Sequence, residues 1–464
     1  MKQAFLCIAG CLGAVVTFFT ISCNSGATTQ PSIHAEDTVS LTNPIPDTIQ
    51  TSDLVADVEF FTQVPASTTE GQLTRIIKLD HRPGDNDIFI QDLRGTSYRI
   101  RNGKPQLYMD IKKLRPNFIP QPGMATGFGS FAFHPDFQNN GLLYTTHTEP
   151  PKTAPADFSY PDSVPVVLQW VLTEWKTDPA KFPFIGEGRE LLRINMPTGI
   201  HGVQEIAFNN KAKPGDEDYG LLYIGVGDGG SVEIHHGLVS RKPSAAWGSI
   251  LRIDPRGNNS KNGKYGIPAS NPFVGNADYA HEVYAYGFRN PHRLNWSRDG
   301  RMFAINIGQH LIEALDIVEP GRFYGWPVRE GNFLVHTDHI NDVYKLPAND
   351  TAYHVTYPVA EFDHDEGTAI SGGFEYQGST VPQLQGKYVF GDIGTGTLFY
   401  VDMQDLQIGR QATIKKWNIA LKGKRTSLAE LCHNERVDMR FGMDASGELY
   451  LFTKRDGKVW RIVR

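Results

Sequence analysis

Six times along the chain a turn residue opens a short apolar and aromatic run that closes on glycine or polar residues. The copies are "NDIFIQDLRGTSYRI" from Asn86, "GLLYTTHT" from Gly141, "GLLYIGVGDGG" from Gly220, "GRMFAINIG" from Gly300, "GKYVFGDIGTGTLFYVD" from Gly386 and "GELYLFTKRDGKVWRI" from Gly447. Each run has the length of a strand and is too short for a helix that buries a face. Some continue through a tight turn into another strand, as in "GTGTLFYVD" and "RDGKVWRI". Others follow an upstream strand, as in "SFAFHPDF", "EIAFNN" and "RLNWSRDG". Strand, turn, strand, turn, strand is one antiparallel blade. Six copies without a long amphipathic helix predict an all-β fold, a six-bladed β-propeller of four-stranded antiparallel blades with long face loops. Stacked blades bury each other's faces, which also accounts for 464 residues, too many for one ordinary core. The spacing is uneven, so a pair of β-sandwiches is the alternative. The stretches 148–190 and 257–280 are predicted to be insertions on the propeller faces.

The chain starts "MKQAFLCIAGCLGAVVTFFTISCNSG". One lysine precedes an apolar run from Ala4 to Ile21, which predicts a secretory signal over 1–22. The ending "TISCN" resembles a bacterial lipoprotein cleavage site, with Cys23 as the lipidated residue. That resemblance implies export to the bacterial cell envelope and anchoring to the outer membrane, facing the periplasm or the surface. An uncleaved membrane anchor is the alternative. Cys7 and Cys11 would leave with the signal and Cys23 would be acylated, so Cys432 has no partner for an intrachain disulfide. Residues 23–50 are rich in Ser, Thr and Pro and are expected to form a disordered tether, with the propeller spanning 51–464. The net charge of −6 and the absence of a basic block argue against a nucleic-acid partner.

In "AYGFRNPHRLNW" (Ala285–Trp296) a strand-like run breaks at Arg289-Asn290-Pro291. Pro291 lacks a donor and pushes Asn290 out of helical geometry, so the Arg-Asn pair is expected on a turn at a strand end. A charge fixed there suits an anionic or carbonyl-bearing ligand; the alternative is an ion pair with Glu282 or Asp316. "GVGDGG" (Gly225–Gly230) fits a dinucleotide-binding string but lacks the helix that must follow, so its glycines are expected at a blade corner. "GDEDYG" (Gly215–Gly220) lacks the rest of a calcium loop. His235 and His236 are adjacent and would point to opposite sides of a strand. "YGWP" (Tyr324–Pro327) reads as a packed aromatic turn, and the acidic run Asp363–Glu366 as a solvated loop. No P-loop and no nucleophile elbow occurs.

Eight runs in order resemble one family, the pyrroloquinoline quinone (PQQ)-dependent soluble sugar dehydrogenases, glucose/sorbosone dehydrogenase-like six-bladed propellers that include hedgehog-interacting-protein-like relatives. They include "HGVQEIAFNN", "HEVYAYGFRNPHRL" and "NIGQHLIEALDIVEPGRFYGWPVREG", and the central runs of the eight are the specific ones. The resemblance implies an oxidoreductase that takes a hydride from a sugar hydroxyl onto PQQ with Ca²⁺ bound, and an electron acceptor that remains unnamed. It implies His201 as base, suited by an imidazole's ordinary pKa. It implies Arg289 and Asn290 on the quinone, Arg289 stabilising charge on its oxygen. Main-chain carbonyls of Gly308 and Gln309 would hold Ca²⁺, with Glu313 supporting the metal or its loop. Thr395 and Arg436 are carried over as further cofactor contacts.

The chain departs from the family pattern at four places. Ile200 replaces a polar residue before the base, and Ala125 and Thr126 stand where a Gln or Glu is usual. Gly394 or Thr395 stands for a Lys. The Arg pair before the last inner strand is only partly kept, as Arg436 and Arg440. Each lost charged hydrogen bond to the cofactor's carboxylates would cost roughly 1.5–3 kcal/mol. The alternative function is therefore a non-catalytic propeller that binds a glycan or a protein. A metal-dependent lactonase-like hydrolase would need converging carboxylates that the sequence does not reveal.

Overall fold

The computed structural model describes residues 39–464 apart from Asn86, Met124 and the side chain of Leu238. Cys23 and the signal segment lie outside the described residues. The chain forms six four-stranded antiparallel blades. Their innermost strands are Ile76–His81, Phe128–Phe133, Glu205–Phe208, Pro291–Trp296, Ile370–Glu375 and Met439–Met443, in blades 1 to 6. The six repeat copies supply the second strand of each blade: Ile88–Asp92, Leu142–Glu149, Leu222–Val226, Met302–Asn306, Lys387–Asp392 and Leu449–Thr453. The glycine opening five of these copies has positive φ, at Gly141, Gly220, Gly300, Gly386 and Gly447. The repeat is thus a left-handed turn, which glycine adopts without a Cβ clash, followed by a buried strand.

The apolar interior is six clusters, one at each junction between neighbouring blades. Phe303, Ile305 and Leu315 of blade 4, for example, meet Ile370, Tyr388 and Phe390 of blade 5. The junction of blades 6 and 1 has its own cluster, with Tyr450, Phe452 and Val459 against Ile76, Leu79 and Ile90. Six junctions for six blades close the ring, which two sandwiches would not do. Both faces of a blade are covered, so its inner strands lose the alternation of a half-exposed sheet. All residues of Phe128–Phe133 and Leu449–Thr453 are buried.

Closure is made by the N-terminal strand Thr51–Gln63. Its second half pairs antiparallel with Lys458–Val463 and completes blade 6, while its first half runs parallel to Lys415–Leu421 of blade 5. Of the disordered tether expected over 23–50, residues 23–38 lie outside the described residues, and the segment 41–49 is docked on the propeller. Leu41 N–H donates to Val343 O (2.8 Å), Ile45 N–H to Asp363 Oδ2 (3.0 Å) and Ile49 N–H to Glu366 Oε1 (2.7 Å). Asp363 and Glu366, expected in a solvated loop, are acceptors for this segment. The stretch 148–190 is not a single insertion either, because the outer strands of blade 2, Leu168–Thr177 and Gly186–Met196, begin within it. A small three-stranded sheet (Arg329–Glu330, Phe333–His336, His339–Tyr344) is inserted between the third and fourth strands of blade 4.

Candidate active site

The axis has two mouths. At the C-terminal ends of the inner strands lies a cavity of about 430 Å³, walled by Phe133, Phe208, Trp296, Phe374 and Phe441. Its floor is a buried charge network: Glu205 of blade 3 takes Lys78 Nζ of blade 1 (2.5 Å) on one oxygen and Arg293 of blade 4 on the other. At the opposite mouth, where the inner strands begin, the loops carrying His201, Asp228, Arg289 and Gln309 meet.

His201 has φ of 48°, a left-handed conformation uncommon for a residue with a Cβ. The corner after Leu222–Val226 holds it there. Gly229 N–H donates to its carbonyl (3.2 Å), and a Cβ on Gly227 would stand 2.4 Å from the same oxygen. The glycines of "GVGDGG" therefore do more than turn a blade corner: they let the chain approach His201. Between them Asp228, wholly buried, points one oxygen at His201 Nδ1 (2.7 Å) and at Gly230 N–H (2.9 Å). Its other oxygen accepts from Trp326 Nε1 (2.9 Å). Burial alone would raise the Asp228 carboxyl, but the neighbouring His201 and Arg289 charges outweigh it and hold it below the usual carboxylate range. An ionised carboxylate only accepts hydrogen bonds, so in the neutral imidazole the proton belongs on Nδ1 and the lone pair on Nε2. The His201 side chain is 11% exposed, so the imidazole keeps some access to the mouth.

Asp228 N–H also donates to Arg289 O (2.8 Å), tying the His201 corner to the Arg-Asn turn. Arg289 is buried and pairs with neither Glu282 nor Asp316. Its Nε donates to the Gln309 side-chain oxygen (2.6 Å), its Nη1 to Ile307 O (3.3 Å), and Glu233 lies 3.9 Å away. Asn290 N–H is held by Asn306 Oδ1 (3.1 Å), and its side-chain amide has no protein partner among the described residues. Glu313 stands behind the loop, not in the mouth. It accepts from Gly308 N–H (3.3 Å), Ile370 N–H (2.8 Å) and His364 Nε2 (3.1 Å), and burial raises its carboxyl despite them. No cluster of three or more metal-ligating side chains occurs among the described residues, so a cation here would rely on main-chain oxygens.

The other expected contacts are engaged elsewhere. The Thr395 hydroxyl donates to Asp392 Oδ2 (2.8 Å) in a turn of blade 5. Arg436 is 60% exposed and pairs with Asp438 (3.1 Å). The Thr126 hydroxyl is taken by the carbonyls of Pro122 and Gly123, Ala125 contributes only its carbonyl to Gln204, and Ile200 is exposed. Near the axis the structure groups His292, Arg440 and Lys454, all buried. Burial, with Arg440, Arg293 and Lys454 around it, pushes the His292 imidazole far below its usual range. Burial pushes Arg440 down to about 10. It also takes Lys454 well below the usual ammonium range, aided by Arg440 and Arg75. Arg440 Nε is buried without a hydrogen-bond partner, and Lys454 Nζ has no hydrogen bond or ion pair among the described residues. Arg440 was visible in sequence as half of a motif; Asp228, Trp326 and Lys454 carried no signal beyond "GVGDGG", "YGWP" and a strand end.

A family model described as glucose/sorbosone dehydrogenase matches residues 79–461, through all six blades. The chain belongs to this family. HIPL1 protein of Arabidopsis thaliana is 27% identical over 310 residues, 58% of this chain and 42% of that protein. Human Hedgehog-interacting protein is 25% identical over 370 residues, 77% of this chain and 46% of that protein. The chain thus spans about half the length of the curated relatives it matches. Among solved structures, the PQQ-bound form of aldose sugar dehydrogenase from Streptomyces coelicolor superimposes with a TM-score of 0.58 at 20% identity. That likeness covers 88% of this chain and 98% of the other, and it shows a shared fold.

Proposed function

We propose that this glucose/sorbosone dehydrogenase family member oxidises a sugar hydroxyl at the His201 mouth, with PQQ as hydride acceptor and Ca²⁺ beside it. The carrying observation is the continuous set of contacts His201–Asp228–Arg289–Gln309, which brings a base, a fixed cation and a main-chain loop together. The residues fit an anionic quinone: Arg440 has an unpartnered buried nitrogen, and burial and neighbouring cations disfavour the charged form of Lys454, so an anion bound beside the two would offset that cost. Arg289, Asn290, Arg440 and Lys454 would hold its carboxylates and ring oxygens, and the outward carbonyls of Gly308 and Gln309 would hold Ca²⁺. When bound, the quinone accepts the hydride, a chemistry no side chain supplies.

His201 Nε2 takes the hydroxyl proton as the hydride leaves. Asp228 fixes the tautomer and stabilises the imidazolium that forms, and Trp326 and Gly230 keep Asp228 in place. Arg289, steadied by Gln309 and Ile307, keeps donor capacity for a developing oxyanion.

The test is a calorimetric titration with PQQ, with and without Ca²⁺, followed by dye-linked oxidation of an aldose panel. Binding that needs Ca²⁺, and turnover abolished in His201→Ala, are expected. Neither binding nor turnover on any aldose would overturn the proposal.

A second function, a glycan- or protein-binding propeller without cofactor, is favoured by the engagement of Thr395 and Arg436 in contacts of their own. It predicts ligand binding that survives His201→Ala and needs no quinone. We further propose that Cys23 carries a lipid and anchors the protein to the outer membrane. Metabolic labelling with a fatty acid should mark the wild type and not Cys23→Ser.

A further inference from the structure

The loop after Met302–Asn306 is shaped by a side chain to which the sequence reading assigned no role. Glu330, 4% exposed, lies in the inserted three-stranded sheet. Its Oε1 accepts four successive main-chain N–H groups, from Gln309 (2.9 Å), His310 (3.0 Å), Leu311 (3.0 Å) and Ile312 (2.9 Å). A trans peptide is planar, with the N–H of one residue and the C=O of the residue before it on opposite sides. Four N–H groups converging on one oxygen therefore turn the carbonyls of Gly308, Gln309, His310 and Leu311 away from Glu330. None of these carbonyls accepts a hydrogen bond among the described residues. The second oxygen of Glu330, Oε2, is buried with no hydrogen-bond partner among the described residues. Among the described residues no cationic side chain forms an ion pair with this carboxylate, and His364 acts on it only from a distance.

We propose that Glu330 is the positioning residue of a main-chain cation site. It gathers the N–H groups of 309–312 so that the carbonyls fan outward, and it supplies from behind the loop the negative charge that neutral carbonyl ligands lack. Hard oxygen ligands of this kind suit Ca²⁺. Glu313 adds a second brace through Gly308 N–H, and Arg289 a third through Ile307 O and the Gln309 side chain. The loop is therefore fixed on three sides, leaving the fan of carbonyls as its open face. This inference rests on the Ca²⁺ part of the proposed function.

The test uses the purified chain without quinone or sugar. Ca²⁺ affinity is measured by calorimetry, and hydrogen exchange of the 309–312 amides is measured in EDTA, for wild type, Glu330→Gln and Glu330→Ala. Gln keeps an acceptor oxygen but no charge. It should leave the four amides slow to exchange while weakening Ca²⁺ binding by about 10–100-fold, the usual effect of losing a group that supports metal ligands. Ala should speed exchange at the four amides as well. Wild-type Ca²⁺ affinity in Glu330→Gln overturns the proposal, as does unchanged exchange in Glu330→Ala. If Glu330→Ala does not fold, the Gln variant decides alone. Absence of Ca²⁺ binding by the wild type overturns the cation site itself, and the exchange data then still decide whether Glu330 shapes the loop.

Discussion

Replacing Asp228 by Asn probes the proposed chemistry most directly, because it keeps the shape of the side chain and removes its charge. Asp228 accepts three N–H groups, from His201 Nδ1 (2.7 Å), Gly230 (2.9 Å) and Trp326 Nε1 (2.9 Å). An amide presents one oxygen and one NH₂, so it cannot accept on both sides. If the NH₂ faces His201, Nδ1 must become the acceptor; the proton moves to Nε2 and the base is lost. If the NH₂ faces Trp326, two donors oppose each other and the imidazolium loses its counter-charge. Losing a charge-assisted hydrogen bond in a buried site costs about 1.5–3 kcal/mol. That is roughly 10–150-fold in rate at about 1.4 kcal/mol per decade. The whole contribution of a general base, about 10²–10⁴-fold, sets the ceiling. If the protein takes up PQQ and Ca²⁺ as proposed, dye-linked turnover should show kcat lowered by about 10²-fold with KM for the sugar nearly unchanged. Calorimetry should show a folded protein. A well-folded Asp228→Asn protein with kcat within about threefold of wild type would refute the role of Asp228 in holding the base.

Three further outcomes follow from the structure. Gly227→Ala places a methyl 2.4 Å from His201 O, so the His201 backbone must shift; kcat should drop at least about tenfold and the melting temperature should fall with it. Glu205→Gln leaves Lys78 and Arg293 facing each other without a carboxylate; urea unfolding should show a loss of about 3–5 kcal/mol. Asp316→Asn should stabilise. Burial and the charge of Glu361, itself pushed up to about 7, raise the Asp316 carboxyl well above its usual range, and its Oδ2 has no partner. The folded protein then keeps a proton that the unfolded chain releases, so wild-type stability falls as pH rises above the ordinary carboxylate range. Melting curves from about pH 5 to about pH 8 should show the variant's advantage growing with pH.

The ring of strands was legible because its causes are local. A left-handed glycine, a buried five-residue run such as Leu449–Thr453 and the next turn are all contiguous in sequence, and they recur. His201 and Arg289 were legible for a different reason, since each sits in a long run shared with a known family. The partners that give those residues their chemistry were not legible. Asp228 lies 27 residues from His201, and Trp326 lies 98 residues from Asp228. No propensity or motif spacing encodes a hydrogen bond across such separations. It exists only once the blades have closed and their loops have converged at one mouth.

The same division runs through the charges. The sequence by itself determined how many cations stand near the last inner strand. Only the tertiary structure decided that Arg436 turns outward to Asp438 while Arg440 and Lys454 are buried near the axis. It also decided that the segment 41–49 docks on Asp363 and Glu366, and that Thr51–Gln63 bridges the last two blades. Strand and turn preferences act between neighbours along the chain. Neutralising a buried charge or satisfying a buried donor depends on distance in space, and the closed ring sets that distance.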